Sequence, residues 1–202
     1  MVRAADTHID PEKDEIYYRK ERINCARFVY YMLYKPKGVV TAREDKINPT
    51  VFSLVNDPRP DLSAVGRLDK DTTGILLITN DGQMNHKLLS SKYHVPKTYV
   101  AEVDGILTPS DIEALESGID IGDDTPTLPA KAEILAEDKA SLTIIEGRYH
   151  QVKRMFAALD KPVKSLHRMS FGPLKLDEML RPGEIRTLTD EEIQLLNKCF
   201  DK

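Results

Sequence analysis

The sequence predicts an α+β domain built on a largely antiparallel sheet flanked by helices. Three observations carry this prediction. Gly74-Ile75-Leu76-Leu77-Ile78-Thr79 is a short, nearly continuous apolar run. Lys97 to Val103 alternates, and Ala130 to Glu146 contains two strand-like halves around Glu137-Asp138-Lys139. Helix start signals stand at Thr108 and Thr189. Hairpin-like strand patterns with a few intervening helices fit an antiparallel sheet better than an alternating parallel fold.

Residues 1–27 are polar and charged, with the turn-like Asp10-Pro11-Glu12-Lys13-Asp14, and look like the end of something. The main domain starts at Phe28, where Phe28-Val29-Tyr30-Tyr31-Met32-Leu33-Tyr34 predicts a strand running into the turn Lys35-Pro36-Lys37-Gly38. The apolar run ending at Thr79 is short enough for a fully buried strand, and Asn80-Asp81-Gly82 closes it as a turn. The Lys97–Val103 alternation puts Tyr99, Ala101 and Val103 on one face. Thr108 is a candidate N-cap with Pro109 in the first helical position, and Gly118 ends that helix. Leu188-Thr189-Asp190-Glu191-Glu192-Ile193 combines a capping box with a hydrophobic staple.

Composition narrows the function classes. The 202 residues are 41% hydrophobic and 31% charged, a globular balance for one domain or two small ones. No stretch approaches the ~20 apolar residues of a membrane span. The first residues lack the apolar run of a signal peptide. Cys25 and Cys199 are far apart, and the five histidines show no ligand spacing. That predicts a reduced, cytoplasmic protein without a zinc site. Net charge is −4, which by itself argues against nucleic acid. The distribution is uneven. From Glu102 to Glu146 charges are mainly acidic, opposed only by Lys131 and Lys139. From Arg148 to Arg168 the sign inverts: Arg148, Lys153, Arg154, Lys161, Lys164 and Arg168 face only Asp160. A local basic surface of this kind suits phosphates, since its field decays over ~8 Å. A salt-bridged, solvated face fits the same charges.

Two segments carry candidate chemistry. Gly66-Arg67-Leu68-Asp69-Lys70-Asp71-Thr72-Thr73-Gly74 is a loop leading into the buried strand. A carboxylate between Arg67 and Lys70 is expected to be ionised and able to serve as nucleophile or base. A turn-capping Asp-Thr-Thr loop fits too. Asp69 and Asp71 also suggest a glycosidase carboxylate pair, although neighbouring loop residues rarely flank a sugar at the ~5–9 Å which that chemistry needs. In the second segment, Glu146-Gly147-Arg148-Tyr149-His150-Gln151-Val152-Lys153-Arg154-Met155, a strand ends and a helix follows. Its apolar stripe is Val152, Met155, Phe156 and Leu159. At ~100° per residue Lys153 borders the stripe and can reach a carboxylate, whereas Arg154 points away from it. An ordinary amphipathic helix with a basic outer face is the plainer account.

The ordered set Lys35-Pro36-Lys37-Gly38, Gly66-Arg67-Leu68-Asp69 with Thr73-Gly74, Thr79-Asn80-Asp81-Gly82, Lys97-Thr98-Tyr99 and Glu146 to Met155 resembles the signatures of pseudouridine synthases. With Met155-Phe156-Ala157-Ala158, Leu166-His167-Arg168 and Leu188 to Ile193 it is most similar to the ribosomal small-subunit branch, the RsuA-like enzymes. The resemblance runs from about Phe28 to Ile193.

The resemblance implies a pseudouridine synthase-like catalytic domain over residues 28–202 with a central cleft. Residues 1–27 would be the tail or linker of an S4-type RNA-binding module that is otherwise missing. The activity implied is isomerisation of uridine to pseudouridine in ribosomal RNA, 16S RNA in this branch, with no cofactor or metal. Asp69 matches the essential aspartate. Arg67 matches the arginine that fills the gap left by a flipped base, Tyr99 the tyrosine that packs on uracil, and Lys153 the basic partner of the aspartate. Expected RNA contacts are Lys35, Lys37, Arg148, His150, Gln151, Arg154, Lys161, Lys164 and Arg168, with the basic segment lining the cleft of Asp69. The expected partner is ribosomal RNA inside a small-subunit assembly intermediate, bound by a cytoplasmic monomer away from membranes. Three alternatives stay open: a large-subunit enzyme of the same family, a catalytically silent RNA-binding assembly protein, and a glycoside hydrolase using Asp69 and Asp71.

Overall fold

The computed structural model describes residues 16–18, 21–23 and 27–201. Ahead of the main domain, β1 (Ile16–Tyr18) and β2 (Glu21–Ile23) pair as a small antiparallel ribbon. The rest of the expected N-terminal tail lies outside the described residues.

The main sheet comprises β3 (Tyr30–Lys35), β4 (Ser63–Ala64), β5 (Thr73–Thr79), β6 (Lys97–Val103), β7 (Lys131–Ala136), β8 (Lys139–Ile144), β9 (Val163–Phe171), β10 (Leu174–Lys175) and β11 (Ile185–Thr187). Its order is β11-β3-β5-β9-β6-β8-β7, with β4 on β5 and β10 on β9. Every pairing is antiparallel except β5–β9. The fold class is therefore the expected α+β, on a largely antiparallel mixed sheet.

Strand β5 is buried on both faces, which explains its unbroken apolar run. Leu76 and Ile78 join one cluster with Leu33. Ile75 and Leu77 join the other with Met32. Helices α2 (Pro109–Ser117) and α3 (Gln151–Ala157) cover the first face through Leu115, Val152, Met155 and Phe156. Helices α1 (Gly82–Leu89) and α4 (Asp190–Lys198) cover the second through Met84, Leu88 and Leu196. Each fully buried leucine contributes roughly 1.5–3 kcal/mol.

Local signals and structure agree at most ends. Thr108 caps α2 in a capping box with Asp111, with Pro109 in the first turn. Thr189 caps α4 with Glu192. Along β6 the buried residues are Lys97, Tyr99, Ala101 and Val103. One element differs. Asn80-Asp81-Gly82 does not turn one strand into another but starts α1, where the Asp81 carboxylate accepts a hydrogen bond from the Met84 amide at 2.9 Å. Asp-Gly is an N-cap signal as much as a turn signal. With only Met84 and Leu88 buried, α1 has little apolar periodicity to announce it.

The edge of β5 is shared. Ser63 and Ala64 of β4 pair with its C-terminal end, while His167 and Arg168 of β9 pair with Thr73 and Gly74 at its start. Gly74 (φ +111°) makes that junction possible, because a Cβ there would lie 2.2 Å from the Arg168 carbonyl oxygen. Gly74→Ala therefore combines left-handed strain with a backbone clash. Urea unfolding is expected to show a loss of about 2–6 kcal/mol. A loss below about 1 kcal/mol would mean that the strands part easily.

Candidate active site

A cleft of about 590 Å³ opens over the β5–β9–β6 junction. Its walls include Arg67, Leu68, Asp69 and Thr72 from the loop before β5, Lys97 and Tyr99 from β6, and Leu166, Arg168 and Phe171 from β9. The segment Ile144 to Lys153 completes it.

The Asp69 loop is held from below by the turn after β3. Leu68 packs into the core. The Thr41 hydroxyl donates to the Leu68 carbonyl at 2.8 Å and accepts from the Leu68 amide at 3.1 Å. The Gly38 amide donates to the Lys70 carbonyl at 2.7 Å. Beneath them lies Lys35, completely buried. Its ammonium donates to the carbonyls of Thr72 at 2.8 Å, Pro36 at 3.1 Å and Lys70 at 3.4 Å. Burial pulls its pKa down to about 8, although the charges of Asp69 and Asp71 oppose that shift. Lys35 therefore supports the loop and is not placed to contact RNA, a correction to its expected role. Exposed Lys37 flanks Asp71 and lowers its carboxyl pKa slightly, after the larger effect of Lys153.

Asp69 is about a quarter exposed (28%) and gripped from the opposite wall. Lys153 reaches its Oδ2 at 3.0 Å, and His150 Nε2 stands 3.3 Å from Oδ1. Lys153 also bonds Asp71 at 2.5 Å. Burial alone would lower the Lys153 pKa, but the hydrogen bonds its ammonium donates to Asp71 and Asp69, with their negative charges, outweigh it and raise the value. The cation beside Asp69 is thus not a sequence neighbour, Arg67 or Lys70, but Lys153 of α3. The angular argument places Lys153 on the carboxylate and Arg154 elsewhere, and the geometry has that arrangement. Arg67 is exposed on the cleft wall and pairs with neither aspartate among the described residues. Tyr99 is both core residue and cleft wall.

Most other residues expected to touch RNA are engaged within the protein. Arg154 bonds Asp123 at 2.5 Å, the Ile121 carbonyl and the Tyr149 carbonyl. Arg148 lines the cleft, yet its guanidinium is directed to Glu146 at 3.0 Å and to the carbonyls of Thr125 and Pro126. Gln151 is buried, accepting from the Arg148 amide and donating to Glu146 at 2.7 Å. Lys161 pairs with Asp111 at 3.0 Å and Lys164 with Asp104 at 2.8 Å, and neither lines the cleft. Arg168 is buried with Nε on the Ile75 carbonyl at 2.8 Å. The segment thus lines the Asp69 cleft as expected through Arg148, His150, Gln151, Lys153 and Arg168, whereas Arg154, Lys161 and Lys164 lie outside it and pair with the acidic segment before them. His150 is exposed and turned to Asp69.

Sequence reasoning missed Lys97 in the cleft wall, and it did not foresee that Asp71, outside the cleft, is a second partner of Lys153. The alternation of β6 carried the signal for Lys97, two residues before Tyr99 on the same face. No group of three or more His, Cys, Asp or Glu side chains is placed to hold a metal ion among the described residues.

Residues 29–158 match the family described as RNA pseudouridylate synthase. The chain is 46% identical over 197 residues to the uncharacterized RNA pseudouridine synthase YtzG of Bacillus subtilis, covering 95% of this chain and 82% of that protein. It is 43% identical over 201 residues to ribosomal small subunit pseudouridine synthase A of Haemophilus influenzae, covering 98% and 86%. A solved structure titled as a pseudouridylate synthase superposes with a TM-score of 0.81 at 43% identity, over 96% of this chain and 84% of that one. The chain belongs to the RNA pseudouridylate synthase family. Within this synthase the matched region holds Asp69, Tyr99 and Lys153 together in one cleft.

The buried ammonium of Lys35 has a consequence for pH. Its pKa in the fold, about 8, lies below the ordinary 10.5, so between these values the unfolded chain binds more protons than the native one. Its contribution to stability therefore rises with pH across that window. Wild type should gain stability relative to Lys35→Met as pH increases from about 8 toward 10, followed by urea unfolding. A constant difference would contradict the burial of the charged amine.

Proposed function

We propose that this synthase isomerises a uridine to pseudouridine in small-subunit (16S) ribosomal RNA. The observation that carries the reading is Asp69, ion-paired to Lys153 in a cleft that also presents Tyr99. The target in the small subunit is supported by the names of relatives 40–47% identical to this chain, ribosomal small subunit pseudouridine synthase A.

Isomerisation requires the target base to leave its stack, at a cost of a few kcal/mol. The cleft volume of about 590 Å³ accommodates a nucleoside. Arg67, exposed and without an ion pair among the described residues, can enter the gap left in the RNA, and Tyr99 offers a ring face to uracil. Asp69 supplies the oxygen that attacks the sugar or base, or accepts a sugar proton. Lys153 and His150 fix that carboxylate from the opposite wall and limit its rotation. The N1 glycosidic bond breaks, the base turns, and C5 rejoins the sugar. The proton displaced from C5 is balanced by one gained at N1, so no cofactor is consumed. On this reading the enzyme acts as a cytoplasmic monomer on RNA within a small-subunit assembly intermediate.

Phosphate contacts come from the exposed rim of the Asp69 loop. Lys37, Arg67 and Lys70 are exposed there and carry no ion pair among the described residues. Removing two phosphate-contacting lysines by Lys37→Ala and Lys70→Ala should reduce the magnitude of the log–log salt slope by roughly 1.4 for single-stranded RNA. Lys161→Ala with Lys164→Ala should leave it unchanged. The opposite ranking in salt titrations would place RNA near α2 and the start of β9 and away from the Asp69 loop.

The test of function is pseudouridine mapping on small-subunit ribosomal RNA incubated with the protein. Wild type should modify one site. Asp69→Asn should lower turnover by about 10³-fold or more while still binding RNA, because the amide keeps the shape and removes nucleophile and base together. Modification confined to large-subunit RNA, or undiminished turnover by the variant, would refute the assignment.

A further inference from the structure

We propose that Lys97 and Arg168 form a cationic floor that stabilises the uracil anion released when the N1 glycosidic bond breaks. This rests on the isomerase reading and deepens it.

Both side chains are buried, at 8% and 2% exposure, and both line the cleft. Neither has a carboxylate partner among the described residues. The Lys97 ammonium donates to the Val95 carbonyl at 2.8 Å, and Arg168 to the Ile75 carbonyl through Nε at 2.8 Å. Arg168 Nη2 is buried with no protein partner. The acid most able to neutralise them, Glu146, lines the same cleft, but its carboxylate already accepts from Arg148, Gln151 and the Leu128 amide. Buried charge without counter-charge costs several kcal/mol per ion. A fold that keeps two such cations side by side in its cleft is complementary to an anion that arrives there.

The shape of the floor selects the anion. Lys97 and Arg168 both sit over the Phe171 ring, 5.5 Å and 5.3 Å from its centroid. The β6–β9 register pairs Lys97 with Phe171 and Tyr99 with Arg168, so two cations and two rings share one patch. Flat apolar walls suit a base, whereas a backbone phosphate stays at the exposed rim. Burial, reinforced by Arg168, lowers the Lys97 pKa to about 8, with Glu146 opposing the shift. The amine is therefore still cationic at neutral pH.

The chemistry calls for such a floor. When the N1–C1′ bond breaks, both electrons remain on uracil, and the charge spreads from N1 to O2 and O4. C1′ is then satisfied by an Asp69 oxygen or by loss of a neighbouring sugar proton that is later returned. As C5 bonds C1′, the C5 hydrogen leaves as a proton and N1 gains one. The base is anionic only between these events. Fixed cations at its oxygens consequently favour the intermediate over the neutral ground state.

The test is equilibrium titration of the full chain with uracil and with 5-nitrouracil, whose acidified ring is an anion in neutral buffer. Wild type should bind 5-nitrouracil at least about tenfold more tightly, a difference of ~1.4 kcal/mol. Lys97→Met and, in parallel, Lys97→Gln should lose that preference while binding uracil as before, and Lys97→Arg should retain it. On RNA, Lys97→Met should lower kcat by about 10²-fold with KM unchanged. Its thermal midpoint should stay level or rise, since an apolar replacement removes an unpaired buried charge. A purely structural lysine would instead lower the midpoint and leave the preference intact. Equal affinity of wild type for the two bases, or no binding of 5-nitrouracil, overturns the proposal. A wild type that prefers the anion but makes no pseudouridine overturns the isomerase reading and leaves the floor standing.

Discussion

The ion pair between Asp69 and Lys153 closes the cleft from its two walls. One partner ends a loop that leads into β5, the other projects from α3, and only a sheet that brings β5 against β9 sets them opposite each other. That approach depends on Gly74, whose missing side chain lets the backbone of Arg168 lie against it. Lys35 and Thr41 then fix the height of the loop through main-chain carbonyls and amides. The partly exposed ion pair is thus backed by buried and half-buried contacts that position the carboxylate. Such preorganisation is what a site needs to hold a reacting group within a fraction of an ångström.

Charge is partitioned in two ways. Outside the cleft, acidic and basic segments neutralise one another: Asp104 with Lys164, Asp111 with Lys161, Asp123 with Arg154 and with the cleft-wall residue Arg148. The two Asp123 pairs tie the loop near residues 121–126 to the α3 segment that walls the cleft, even though partly exposed pairs contribute only about 0–1 kcal/mol each. Inside the cleft the balance differs. Lys97 and Arg168 line it, with Lys35 beneath the Asp69 loop, and all three are buried without carboxylate partners among the described residues and satisfied in part by carbonyl oxygens. An acidic protein thereby keeps a locally positive interior where an electron-rich base would sit, because the low-dielectric walls limit screening.

The sequence by itself determined the fold class, the buried β5 strand, the capping of α2 and α4, and the identity of the Asp69 loop as a candidate site. These follow from local chemistry: period-two and apolar runs, an N-cap hydroxyl, a proline in the first turn. It also separated Lys153 from Arg154, since adjacent helical residues differ by ~100° and only one borders the buried stripe. Helix α1 escaped because Asp-Gly signals a cap and a turn alike. Only the tertiary structure decided which cations are available. Lys35, Gln151 and Arg168 look like surface residues in a basic sequence and are buried. Arg148, Arg154, Lys161 and Lys164 look like an RNA face and find acids brought to them by the sheet. Linear charge counts cannot report this, because an ion pair depends on a distance of a few ångströms that the order of strands sets and the order of residues does not.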